Sequence, residues 1–495
     1  MGVVRRQSIK RTTVSYLGVL IGTISVLKIY PLAFEIYGMS QFIISSATLI
    51  MPFASIGISR LTVRYFPEFK NEETKNHGFL GFLLMLSLLF FLIFGLFLFL
   101  FKDAFFALLA ALDMKKEAFW ENRGVIMVVS LALIISSILG QYASNFKRIV
   151  VPEIFNNLLI KIALPILVLL FYFGYIAENE FRYLYALSFL LAILGLAGYL
   201  IYLGQFNVRL DFSFLKKPLV KEMMVYSAFN ALSIIGYLLS FRIDNIMITS
   251  FMDYDNTGHY SFFAYIVNVI VIPYMSMIAI ASPIISQGLR DADLASIQKL
   301  YRQSSETLFI VGLYIVGGVW LCMDPLLEIT GKSDLLSPLK YTFLILAAGQ
   351  LFNITTGLTE PIIGYSKYYR FNLYTMTGLA LMNIIMNFYF IPKFGILGAA
   401  LATAVSLVVY NFIQCVFIYD RFGMLPVSHT HVKVLFFASM AYFAANLFYL
   451  DVNPVLQILI RGSIFSLIFL PMIIYFKVSP EVDRLWRDIK TRVML

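Results

Sequence analysis

Fourteen apolar runs follow one another along the chain, at 12–33, 40–62, 78–101, 124–144, 152–174, 183–203, 222–250, 258–281, 306–323, 340–362, 370–391, 396–419, 432–450 and 454–476. Most are near the ~20 residues that a helix needs to cross a hydrocarbon core. In lipid, backbone of that length has to close its hydrogen bonds within itself, which a helix does. Barrel strands would be short and alternating, and these runs are long and continuous. Composition agrees: 60% of the 495 residues are hydrophobic and 13% charged, with mean hydropathy +0.83, against about a quarter charged in soluble domains. The expected fold is all-α and membrane-integral, with about 14 transmembrane helices and no room for a soluble domain.

The net charge of +10 does not point to nucleic acid, because the basic residues sit in short loops between spans. Counted in alternate loops, 25 Lys and Arg fall on one side: the N-terminus, 63–77, 145–151, 204–221, 282–305, 363–370, 420–433 and the tail. The other side holds 8: Lys102, Lys115, Lys116, Arg123, Arg182, Lys332, Lys340 and Lys393. The positive-inside rule makes the richer side cytoplasmic, with both termini there. The first run follows Arg5, Arg6, Lys10 and Arg11, is a full span long and lacks a small-residue cleavage site, so it reads as a retained span. Cys322 and Cys415 both lie in apolar context and form no disulfide framework.

A weak repeat runs through the chain. IYGMSQFIISSATLIMP (36–52) echoes NTGHYSFFAYIVNVIVIP (256–273): a glycine opens a span, and a proline follows 14 or 15 residues later. QYASNFKRIVVPEIF (141–155) and IIGYSKYYRFNLY (362–374) are both basic turns rich in aromatics. The offset of six spans predicts two six-helix bundles around a central cavity, related by an axis along the membrane normal, plus two C-terminal helices. The expected boundaries are 1–203, a cytoplasmic linker at 204–221, a second bundle at 222–419, and 420–495.

Five cations fall inside the runs: Lys28, Arg60, Lys161, Arg242 and Arg461. A charge at the bilayer centre costs ~2.5–3.5 kcal/mol on insertion scales and generally faces water or a partner. Lys161 lies nine residues into its run, close to the midplane at ~1.5 Å per residue. Arg242 and Asp244, two apart, point ~200° from each other, so each needs its own partner. Arg60 and Arg64 share a face by i, i+4 spacing near the cytoplasmic end of the second run, where charge anchoring explains them equally well. Lys28 and Arg461 lie nearer the outer surface and are expected to snorkel. Glu360, before Pro361, reads as a gate or ion ligand. Pro52, Pro165, Pro273 and Pro361 are expected to bend or break their helices. The excess of cation over Asp244 and Glu360 suits a phosphate-bearing substrate, since Lys and Arg are the usual phosphate ligands. Amides of the later runs, Asn245, Asn353, Asn383, Asn387, Asn411 and Gln414 among them, are expected to glue helices together.

Two motifs mislead. Gly331-Lys332-Ser333 resembles the end of a phosphate loop, but Leu326 stands where the motif needs glycine. His429 and His431 form an isolated pair and are expected to be solvated loop residues. No nucleophile–histidine–acid set stands out, so no catalytic residue, enzyme activity or metal site is expected. A membrane polymerase would need a large outward loop. The longest here, 102–123, has 22 residues with four basic and four acidic.

The run IDNIMITSFMDYDNTGHYSFFAY (243–265), with Asp244 before Gly258-His259-Tyr260, and the turn IPKFGILGAALATAVS (391–406) resemble the bacterial polysaccharide-biosynthesis exporters. These belong to the MATE-like multidrug/oligosaccharidyl-lipid/polysaccharide superfamily, in which O-antigen flippases form a branch. The resemblance covers essentially the whole chain. It implies alternating-access flipping of an undecaprenyl-diphosphate-linked oligosaccharide to the outer leaflet of the bacterial inner membrane. It also implies a cationic cavity, to which Lys161, Arg242, Arg60 and Arg64 are assigned by position. Asp244 and Glu360 take the ion-coupling or gating role. No cofactor is implied beyond an H+ or Na+ gradient. The implied partners are lipid-linked oligosaccharide, membrane lipids and polysaccharide polymerase machinery, with no nucleic acid. A multidrug exporter or a peptidoglycan-precursor (lipid II) flippase is the alternative. The N-terminal bundle lacks the dense acidic cluster expected of a cation-coupled drug exporter.

Overall fold

The computed structural model describes residues 2–71, 76–208, 217–448, 452–476 and 478, with no strand among them. Among the described residues, twelve helices are long and apolar enough to cross a membrane. Ser333–Leu339 and Tyr341–Thr356, bent by 44°, make a thirteenth if read as one span. The fourteenth expected span, 432–450, is the helix His429–Asn446, whose start (His429, Thr430, His431, Lys433) is too polar to meet that standard. The protein is a multi-pass, all-helical membrane protein.

Contacts divide the chain into two units, Met1–Gly258 and His259–Leu495. The first holds α1 (Gly2–Ile24), α2 (Phe34–Ser55), α3 (Phe79–Leu100), α4 (Glu117–Asn145), α5 (Leu159–Tyr172), α6 (Glu178–Tyr202) and α7 (Lys217–Phe251). The helix α8 (Tyr254–Asn268) begins in it. Of the sequence-predicted linker, residues 209–216 lie outside the described residues. The run 222–250 forms most of α7, which packs along α2 in the first unit. Three polar contacts hold that pairing: Asn245 Nδ2 donates to Ser45 Oγ at 3.1 Å, Ser227 Oγ donates to the Ile56 carbonyl, and Tyr65 Oη donates to Glu222 Oε1 at 3.0 Å. Ile56 and Gly57, at φ +48° and +71°, end α2 there. A Cβ on Gly57 would stand 2.8 Å from the Ser227 carbonyl oxygen, so glycine is needed for approach as well as for conformation.

The second unit contains α9 (Val271–Arg290), α10 (Leu294–Leu321), α11 (Tyr341–Thr356), α12 (Thr359–Tyr365), α13 (Arg370–Phe394), α14 (Ile396–Phe422), α15 (His429–Asn446) and α16 (Pro454–Tyr475). Its cores are apolar seams: Ile310, Leu313 and Phe465 between α10 and α16, and Ile285, Tyr301 and Ile362 around α9, α10 and α12. The run predicted at 258–281 is broken at Val269–Ile270, and the loop predicted at 282–305 is helical except for 291–293. The cause is Pro273. It stands in the first turn of α9, where a missing N–H costs nothing, and it disfavours continued helix before it. Pro361 does the same in the first turn of α12, after a break at Gly357 (φ +40°). Pro52 and Pro165 lie inside α2 and α5.

The repeated glycines meet. Gly38 is the fifth residue of α2 and Gly258 the fifth of α8. A Cβ on Gly38 would collide with the Tyr254 carbonyl, and a Cβ on Gly258 with the Phe34 carbonyl. Each glycine thus faces the carbonyl four residues before the other, a reciprocal contact like that across a twofold axis. Backbones approach this closely only where both residues lack side chains. Gly38→Val should therefore destabilise the protein by ~1–3 kcal/mol or more. Gly124→Ala, at a helical glycine with nothing within 4 Å, should be neutral or slightly stabilising. Thermal unfolding in detergent checks both. Equal melting temperatures for the two variants would refute the backbone contact.

Candidate functional site

Lys161 lies on a span that runs from Val150 to Tyr172 and is interrupted by a π turn at Ile154–Leu158. Such turns recur at functional sites. Its side chain is half-buried and lies across Gly18 of α1. A Cβ on Gly18 would stand 3.3 Å from Lys161 Cδ and 3.5 Å from Nζ. Two turns earlier, Glu153 accepts from Arg11 Nε at 3.0 Å, Ser15 Oγ at 3.3 Å and Asn157 Nδ2 at 2.8 Å. Residues 153, 157 and 161 share a face by i, i+4 spacing and meet 11, 15 and 18 of α1. The result is a polar seam along two parallel helices, with Lys161 at its inner end and Glu153 as the carboxylate whose field it feels. A second π turn, Ser25–Ile29, extends α1 and carries Lys28, which is exposed.

The other candidate residues are placed differently. Arg64 lies 4.1 Å from the Tyr226 ring centroid and 3.6 Å from Glu222 Oε1, so its charge is engaged with α7. Arg60 ends the turn Ile58–Arg60 and is exposed. Arg242 is half-buried and close enough to the buried Tyr185 of α6 for its charge to be felt there. Asp244 is 4% exposed. The different burial is what two positions ~200° apart on one helix require. Glu360 is in the other unit, the second residue of α12, exposed and within electrostatic range of Tyr410 on α14. Near it, Asn411 Nδ2 donates to Asn353 Oδ1 at 3.0 Å, Thr356 Oγ1 to Asn411 Oδ1 at 2.8 Å, and Gln414 Nε2 to Thr375 Oγ1 at 3.1 Å. The amides glue α11, α13 and α14 together.

Two expectations are corrected. His431 is buried in the first turn of α15, with Nε2 3.1 Å from Ser305 Oγ and its ring against Phe309, while His429 is exposed. Arg461 does not snorkel. It is 6% exposed, donates to Asn446 Oδ1 through Nη2 and has no partner for Nε. Sequence reasoning missed Arg11, Ser15, Glu153 and Asn157. Their four-residue spacing was the available signal.

No family model matches the sequence. A curated relative, the uncharacterized transporter YisQ of Bacillus subtilis (strain 168), is 25% identical over 236 residues, 45% of this chain and 51% of that protein. The chain thus matches about half of that relative's length. Among solved structures, the lipid II flippase MurJ in an inward closed conformation superposes with TM-score 0.70 at 15% identity, over 95% of this chain and 99% of the other. An outward-facing MATE family multidrug resistance transporter of the MOP superfamily gives TM-score 0.50 at 16% identity, over 85% and 95%. At these identities the likeness is one of fold.

The two kinds of ion pair in the first unit should behave unlike one another. Glu153, 11% exposed, serves three donors, so Glu153→Ala should cost ~2 kcal/mol or more. Arg64→Ala, which breaks an exposed pair with Glu222 and leaves the bond from Tyr65 Oη to Glu222 in place, should cost ~1 kcal/mol or less. Denaturation midpoints measured side by side check the order. A reversal would mean that the seam does not hold α1.

Proposed function

We propose that this chain is a transporter that moves a lipid-diphosphate-linked oligosaccharide, a polysaccharide repeat unit, from the cytoplasmic to the outer leaflet of a bacterial cytoplasmic membrane by alternating access. Both termini are on the cytoplasmic side. The observation that carries this reading is the fold shared with a lipid II flippase over 95% of the chain. It is joined by Lys161, a half-buried cation deep within a span. An ammonium there is partly stripped of water, so a diphosphate that reaches it gains a charge-assisted contact stronger than one at the surface. Lys161 and Arg242 are assigned to the diphosphate, with Arg60 and Arg64 at the basic end where substrate enters. Asp244 and Glu360 are assigned to ion coupling or gating, with an H+ or Na+ gradient as the driving force. Polysaccharide polymerase machinery would take the product.

A second reading, a peptidoglycan-precursor flippase, is favoured by the higher structural likeness to the lipid II flippase than to the multidrug transporter, TM-score 0.70 against 0.50. Both readings share the diphosphate and differ in the sugar.

The test is leaflet transfer in proteoliposomes across a panel of lipid-diphosphate-linked sugars, with and without proton or sodium gradients. Lys161→Ala and Arg242→Ala should each slow gradient-driven transfer ~10–100-fold, the equivalent of losing one charged hydrogen bond. Lys393→Gln, whose ammonium lies 3.5 Å from the Tyr389 ring centroid, should leave it unchanged. Transfer that is insensitive to Lys161 and Arg242 would refute the site. No transfer of any sugar would refute the flippase reading.

A further inference from the structure

The sequence reads 102–123 as a loop, yet its first half is helix. Lys102–Ala111 is helical and is separated from α3 only by Phe101, at φ −103° and ψ 13°. Hydrogen bonds run on across that residue: the Phe101 amide donates to the Phe97 carbonyl at 3.0 Å, and the Phe105 amide to the Phe101 carbonyl at 2.9 Å. After Leu112 the chain turns at Asp113 (φ +54°) and enters α4 at Glu117. None of the candidate transport residues lies in this segment.

The helix has three sectors. Phe101, Phe105, Leu108 and Leu112 recur at i, i+4, i+7 and i+11, so they fall within ~60° of one another. All four are 38–56% exposed. Phe106 and Leu109 lie ~100° further round and face the protein. Leu109 is buried, and Phe106 stands edge-on to Trp120 in the first turn of α4, with ring centroids 5.7 Å apart. Asp103, Ala107 and Ala110 occupy the far side and are exposed. A helix surrounded by water would carry polar side chains on both of its free sectors. Here one free sector holds an acid and alanines, and the other holds only Phe and Leu.

The bulky sector continues one that already faces lipid. Followed backwards in steps of four it runs through Phe97 and Ile93, both exposed, on the most apolar span among the described residues. Cations flank it with their charges over rings: Lys102 Nζ lies 5.2 Å from the Phe99 centroid, and the Arg123 guanidinium 3.8 Å from that of Trp120. Tryptophan and snorkelling cations beside an apolar stripe are the composition of a membrane–water interface. Of the eight Lys and Arg on the less basic side of the chain, Lys102, Lys115, Lys116 and Arg123 lie in this one connection. The segment is also fixed in place. Phe105 stands at 88° to Phe119 with centroids 5.7 Å apart, the Lys115 amide donates to the Ser250 carbonyl at 2.7 Å, and Lys115 Nζ donates to the Met252 carbonyl. These contacts hold the bulky sector outward.

The six-span offset of the sequence repeat pairs this helix with Met323–Thr330, where Met323, Pro325 and Leu327 are buried and the helix packs against α16. The extra C-terminal helices follow only the second repeat, which leaves the matching helix of the first open. We propose that Phe101–Leu112 is a membrane-interface helix. Its Phe and Leu sector inserts at the boundary of head groups and acyl chains, ~5–10 Å deep, with Asp103 and Ala110 toward water. The partner is the lipid surface itself, because the exposed sector lacks the small residues that let a second helix approach closely. The inference does not depend on what the protein transports.

The experiment uses the full chain in phosphatidylcholine vesicles, with Trp120, Trp320 and Trp486 replaced by phenylalanine and one new tryptophan placed on the helix. Leu108→Trp puts it in the bulky sector, and Ala110→Trp puts it on the far side. The quenchers are lipid brominated near the head-group end of the acyl chain, lipid brominated near the methyl end, and iodide on both faces of the vesicle. Tryptophan at 108 should lose ~half of its emission to the shallow bromolipid and less to the deep one. Its response to iodide should be at least ~threefold weaker than that of tryptophan at 110. Circular dichroism and monodisperse elution check folding, and Leu112→Trp, in the same sector, repeats the reading where Leu108→Trp does not fold. Equal iodide quenching at both positions, with no effect of bromolipid, would put the helix in water and overturn the proposal. A position 108 shielded from all three quenchers would mean a protein occupant and would overturn it as well.

Discussion

A charge within a hydrocarbon layer has few places to go, and the architecture of this chain follows from how it places each one. The unpaired cost of ~2.5–3.5 kcal/mol on insertion scales is a large share of the 5–15 kcal/mol that holds a typical fold together. Each intramembrane cation therefore implies a structural answer. Arg461 is enclosed by protein and donates to Asn446. Arg64, just past the cytoplasmic end of its run, lies over Tyr226 beside Glu222, which combines a weakly hydrated guanidinium with a ring face. Lys161 stands at the end of a seam whose carboxylate, Glu153, is already occupied by Arg11, Ser15 and Asn157.

The second constraint is backbone proximity. Lipid tails are as apolar as leucine, so helices associate through close packing and polar contacts instead of through the hydrophobic effect. The Gly38–Gly258 crossing and the Ser45–Asn245 bond are these two devices on the same helix, α2. The glycines occupy equivalent positions of the sequence repeat, and each excludes a side chain from the other's carbonyl. A pattern that reads in sequence as a weak echo is thus a physical contact in three dimensions.

Much of the fold was legible because spans are set by length and hydropathy, which are local. The positions of Pro273 and Pro361 foretold the two breaks, though not that Val269–Ile270 would split a predicted span. The packing of α7 was less legible. Whether α7 packs with what precedes or follows it depends on Ser45, Ser227 and Glu222 finding partners, and nothing in the 222–250 run itself reports that. At the candidate site, depth alone singled out Lys161. Glu153 was overlooked because it sits at a span boundary, where an acid reads as solvated. His431 was misread for the same reason: two residues separate an exposed His429 from a buried His431 once α15 begins. Periodicity sees elements, and it cannot see which neighbour an element will meet.

The account rests on Lys161 reaching an aqueous path instead of serving only as a structural pair. The direct measurement is thiol accessibility of Lys161→Cys in a chain with Cys322 and Cys415 replaced by alanine, using a charged, membrane-impermeant maleimide added from each side in turn. The account predicts labelling from at least one side, slowed by a lipid-linked diphosphate. A thiol that stays inert to the charged reagent from both sides, while the protein remains folded, would contradict it.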